Sequence, residues 1–166
     1  MVEDRVSDVD RIEDLTRPEH LLVWGFRAIA LGHEGCPIVV RTFQHACRRH
    51  AGQTLPLYAA FVGRLAAESR RRLSVHVPGC ICVGDDEASV LAILAAAQQS
   101  LHDRYEETLR AGLHRLLAGE PSEALVLLAQ GLARLLMADA LVLPARPAAH
   151  PYVWERTTAE IAGVLN

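Results

Sequence analysis

Apolar positions recur every three or four residues along most of this chain, the spacing that gathers them on one face of a helix. The first helix is predicted to open at Thr16-Arg17-Pro18-Glu19. Thr16 caps the first amides, Glu19 reaches back to it, and Pro18 suits a turn whose amides have no helical partner. Leu21, Leu22, Trp24, Ile29 and Leu31, with Phe26 off the stripe, make this helix broadly apolar, and Gly32 stops it. A second helix is expected from Pro37 to about Arg49. Ile38, Val39, Thr42, Phe43, Ala46 and Cys47 share one face; Arg41, Gln44, Arg48 and Arg49 share the other. Gly52 should end it. Thr54 then caps a third helix with Pro56 in its first turn and Leu57, Tyr58, Phe61, Leu65 and Ala66 as its stripe.

The period changes once. Leu73, Val75 and Val77 alternate with Arg72, Ser74 and His76, Pro78-Gly79 follows, and Cys80-Ile81-Cys82-Val83 comes next. Alternation around a turn predicts a short β-hairpin near 72–83. Helical spacing then resumes. A fourth helix from about Asp86 to Ser100 starts with acids, as the helix dipole favours, and has almost no polar face, so it should be the most buried. A fifth, roughly His102–Ala118, turns Tyr105, Leu109, Leu113, Leu116 and Leu117 inward before Gly119. Pro121 and Ser122 open a sixth, with Leu125, Leu128, Leu132, Leu135 and Leu136 along a bundle seam.

These elements predict an all-α protein, an orthogonal or up-down bundle of about six helices with the hairpin inserted between the third and fourth. The organisation read from the sequence is an acidic arm at 1–15, one helical domain at 16–143, and a Pro-rich tail at 144–166. The arm carries Val6, Val9, Ile12 and Leu15 at helical spacing, and the tail carries a short helix start at Thr157-Thr158-Ala159-Glu160.

Composition narrows the classes. The 166 residues are 51% hydrophobic but only 5% aromatic, so Leu, Ala and Val must fill one core. Every one of the 17 basic residues is Arg, spread along the chain rather than gathered, and the net charge of −3 argues against a nucleic-acid partner. The acidic start lacks the apolar stretch of a signal peptide, and no apolar run has the length of a membrane span. A soluble cytoplasmic protein with reduced cysteines is the expectation.

Cysteines supply the candidate chemistry. Cys36 directly precedes Pro37 at a helix start, where amides and dipole stabilise a thiolate, and His33 and Glu34 share its loop. That makes Cys36 with His33 the candidate for a thiol enzyme; the alternative is a thiol that packs as a small apolar group. Cys80 and Cys82, with Cys36, His33, Cys47 or His76, are the candidate zinc ligands. Cys36 and Cys47 lie eleven residues apart, about 16 Å along one helix, too far to share an ion. Pairing Val77 with Cys80 across a four-residue loop would place both hairpin cysteines on the apolar face, buried and without metal. Arg70-Arg71-Arg72 is a solvated run or, with Arg48 and Arg49, an anionic-ligand patch. Asp85-Asp86-Glu87 lacks the spacing of a hard-metal loop, and Gln98 and Gln99 end their helix or line a cleft.

The reading that follows is a non-enzymatic interaction or regulatory module that self-associates as a homodimer or binds another protein, with no cofactor and no membrane. Tyr152 and Trp154, two apart among prolines 144, 147 and 151, point the same way on an extended chain and are the candidate interface residues. The alternative is a metal- or small-ligand-binding protein built on Cys80, Cys82 and the His33–Cys36 loop, with zinc as the metal. A thiol enzyme with Cys36 as nucleophile is the third.

Overall fold

The computed structural model describes residues 11–101 and 106–146. After a 3-10 turn at Ile12–Asp14 come six helices: α1 (Arg17–Ala30), α2 (Pro37–Ala46), α3 (Ala51–Glu68), α4 (Asp85–Ser100), α5 (Glu106–Leu117) and α6 (Glu123–Ala138). The architecture is all-α. α4 packs on α5, α6 and α1, while α3 packs on α6, α2 and α1. The core runs between them, with Phe43, Tyr58, Phe61, Leu65, Leu94 and Leu132 wholly buried.

Local chemistry accounts for the helix ends. The Glu19 carboxylate accepts from the Thr16 amide at 2.8 Å and the Thr16 hydroxyl at 2.7 Å, closing α1 from below. Gly32 takes a left-handed φ of 77° just past its end. Cys36 is the N-cap of α2, with Pro37 first in the helix. The Ser122 hydroxyl accepts from the Leu125 amide to start α6. α4 is as buried as its sequence implies, with eleven of its sixteen residues inside. α3 begins earlier than expected, at Ala51. Thr54 is not its cap: it lies in the first turn, buried, and its hydroxyl donates to the His50 carbonyl at 3.0 Å.

The expected β-hairpin is absent. Among the described residues there is no strand, only an isolated bridge between Arg11 and Cys82. The Pro78-Gly79 turn does form, with the Cys80 amide donating to the Val77 carbonyl at 2.9 Å. Its two arms do not pair with each other, because side chains of α1 and α4 take their polar groups first. The Ser74 amide donates to Asp86 and the His76 amide to Glu87, while the Cys80 and Cys82 carbonyls accept from Arg27. The burial pattern follows: Leu73 and Val75 pack on the core, whereas Val77 is 66% exposed and Cys80 and Cys82 are half-buried rather than buried against it. The helix starts expected within 1–10 and at Thr157, and the stretch from His102 to Tyr105, lie outside the described residues.

Candidate functional site

Two polar constellations and one groove stand out. The first lies inside the molecule. Arg27, in the fourth turn of α1 among apolar neighbours, has a fully buried side chain facing the equally buried Glu87 of α4. Its Nε donates to Glu87 Oε1 at 2.8 Å, and its Nη2 to Oε2 at 2.8 Å. Two further guanidinium hydrogens go to the carbonyls of Cys80 and Cys82 at 2.7 and 2.5 Å. Glu87 also accepts from the Gly84 amide at 2.9 Å and the His76 amide at 3.0 Å. Burial alone would raise the Glu87 carboxyl; Arg27 and these amides outweigh it and hold it at about 2. Asp86, one residue earlier, binds the Arg71 guanidinium with both oxygens and the Ser74 amide at 2.6 Å. Asp86 and Glu87 thus point to different partners, and both fasten the extended segment between α3 and α4. Arg27, Glu87 and Asp86 are all engaged by groups of the fold itself, so the constellation is a structural latch.

The second constellation joins Cys47, His50 and Asp139. His50 Nδ1 lies 3.3 Å from Asp139 Oδ2, whose other oxygen accepts the Arg49 amide at 3.0 Å. A cysteine, a histidine and an acid suggest a nucleophile, but Cys47 is wholly buried and burial pushes its thiol up to about 11. Asp139 instead ties the α2–α3 connection to the end of α6.

The sequence candidates fall elsewhere. Cys36 is half-buried at the start of α2, and its amide donates to the His33 carbonyl at 2.9 Å; His33 and Glu34 are exposed in the same loop. Cys80 and Cys82 sit at the latch, where their backbone carbonyls rather than their sulfurs are engaged. Among the described residues no three His, Cys, Asp or Glu side chains cluster as metal ligands. Arg71 is consumed by Asp86, and Arg70 lies over Gly119, where a Cβ would stand 2.9 Å from its Nε. Gln98 is buried. Its amide donates to the Leu141 carbonyl and accepts from the Leu143 amide, both at 2.8 Å, pinning the chain that leaves α6. That chain continues to Arg146, whose Nε meets Glu19 Oε1 at 2.5 Å in the first turn of α1. Tyr152 and Trp154 lie outside the described residues.

The groove lies between α1 and α2. It encloses about 490 Å³ and is lined by Arg17, His20, Leu21 and Trp24 of α1, by Arg41, Thr42, His45 and Ala46 of α2, and by Leu141. Positions 17, 20, 21 and 24 form one face of α1; 41 and 45, 42 and 46 form successive rows on α2. Trp24 and Leu21 supply an apolar floor, and Arg17, His20, Arg41 and His45 stand exposed on the walls. None of these four side chains has an acidic partner among the described residues, in contrast to the exposed Arg64 and the half-buried Arg110, which pair with glutamates. The sequence carried a signal for it: Arg17, His20 and Trp24 share a stripe. Arg41 reads as plain solvent face until α2 is set beside α1.

Comparison with family models, with curated proteins and with solved structures gives no match to this chain. The class defined by the fold is therefore the plain one, an all-α protein with six packed helices among the described residues. No helix among the described residues is long and apolar enough to cross a membrane.

Proposed function

We propose that this protein is a non-catalytic interaction module that self-associates, with the α1–α2 groove as its contact surface and a second copy of the chain as its occupant. One observation carries the reading: an apolar floor containing a half-buried tryptophan is walled by two arginines and two histidines that have no acidic partner among the described residues. Half-buried aromatics and arginines are the groups that dominate protein contacts. The occupant must bring acidic and apolar groups together. A second copy can do so, because the chain is net negative while its groove is positive. The buried ionic groups do not compete for the role, since Arg27, Glu87, Asp86 and Glu19 are all engaged within the fold.

Sedimentation of the whole chain over a range of concentration and salt tests this. Reversible dimers that weaken as salt rises are expected, because the wall arginines are exposed and screened. Arg41→Glu, an exposed change, should shift the population to monomer with the fold intact. A chain that is monomeric at every concentration, or a dimer indifferent to Arg41→Glu and Trp24→Ala, overturns the reading.

A further inference from the structure

We propose that the element entering each groove is the segment 147–166 of the other copy, so that two chains exchange these segments reciprocally. The inference rests on the self-association reading above and names its contact. The course of the chain after α6 carries it. Leu141 lines the groove, Gln98 pins residues 141 and 143, and Arg146 is anchored to Glu19, between the groove residues Arg17 and His20. The described chain therefore touches the groove at Leu141 and ends beside the first turn of α1, the element that supplies one wall. Pro147 follows at once and Pro151 shortly after, and both favour extended backbone over the tight reversal a return to the same groove would need. An extended segment of this length spans up to about 65 Å, ample to reach a neighbouring molecule.

The segment also carries the required chemistry. Tyr152 and Trp154 alternate, so on an extended backbone both face one side and can cover Trp24 and Leu21. Glu155 directly follows in the sequence and supplies the acid that the wall arginines require. The arm at 1–10 is more acidic, with Glu3, Asp4, Asp8 and Asp10, yet it has no aromatic side chain to fill an apolar floor. Reciprocal exchange closes with twofold symmetry: each copy supplies one segment and one groove, and growth stops at two.

The test uses the full chain with Trp154→Phe, which keeps an aromatic there and leaves Trp24 as the sole tryptophan. Against this parent, Tyr152→Ser with Trp154→Ser should sediment as monomer, and acrylamide should quench Trp24 roughly twofold more strongly as the indole opens to water. Adding the synthetic peptide 147–166 carrying Trp154→Phe should restore the parent's quenching. The inference fails if the doubly substituted chain stays dimeric while Arg41→Glu dissolves the dimer; the groove reading then stands with another occupant. It also fails if Trp24 is shielded in a monomer independently of concentration, which means each groove holds its own chain's segment. Loss of the dimer on neutralising Asp8 and Asp10 alone would transfer the role to the amino-terminal arm. A parent that is monomeric with an open Trp24 removes both readings together.

Discussion

Removing the Arg27 guanidinium would strand the Glu87 carboxylate inside the protein and leave the Cys80 and Cys82 carbonyls without donors. Breaking a buried ion pair on one side costs about 3–5 kcal/mol, so Arg27→Met should lower stability by that order in urea unfolding. Arg71→Met, which faces Asp86 from a more exposed position, should cost much less. Neither residue was legible as structural from the sequence. Arg27 reads there as one polar interruption in an apolar helix, and Arg71 as part of a solvated run. Cysteine behaviour separates equally sharply. Cys47 has no exposed surface, and burial, opposed only in part by Thr54, places its thiol at about 11, so below that pH it stays protonated. In single-cysteine variants between pH 6 and 9, Cys36 should be alkylated readily and Cys47 only on unfolding. Equal rates would show that the second helix does not shield its own carboxyl end.

Helix contacts turn on single atoms at a few crossings. A Cβ on Gly25 would stand 2.7 Å from Phe43 Cζ and 3.2 Å from Tyr58 Cε1, and both rings are wholly buried. α1 can therefore approach α2 and α3 only with glycine there. Gly25→Ala should cost about 1–3 kcal/mol through overpacking. Gly63 is the control: it lies inside α3, is exposed, and leaves open space within 4 Å of where a methyl would stand. Gly63→Ala should raise stability by roughly 0.5–1 kcal/mol, since glycine is the poorer helix former. Thermal unfolding of the two variants side by side checks the pair. The helices themselves were mostly readable, because capping residues and apolar stripes act within a few positions. The stretch near 72–83 was not. Its alternating pattern is that of a strand, but strand pairing needs free amides and carbonyls. Asp86, Glu87 and Arg27 claim them from other elements.

At the scale of the molecule, the buried latch ties stability to pH. The Glu87 carboxyl sits at about 2 when folded against an ordinary value of 4.5, so its contribution is complete above pH 4.5 and is lost as pH falls through 2. Its share is on the order of 3 kcal/mol. Glu19 and Glu68 are held low in the same direction: burial raises each, and Arg146 with Thr16, or Ser122 with Arg64, outweighs it. The native protein should therefore lose urea stability steeply between pH 4.5 and 2. Glu87→Gln should start less stable and lose less over that range; an unchanged slope would mean Glu87 is not the group that titrates.

Periodicity, caps and composition determined by themselves that this chain is helical, where most of its helices start, and that the fourth is the most buried. Those properties depend on residues at most four apart, or on the total apolar content, and both are present in one dimension. Only the tertiary structure decided that Arg27 and Glu87, sixty residues apart, would latch an extended segment, and that Gln98 would hold the chain leaving α6. The same holds for the groove. Arg17 and Trp24 share a helix face that can be read, but Arg41 and His45 join them only when α2 folds against α1. A site made of two faces exists only once packing has set them side by side.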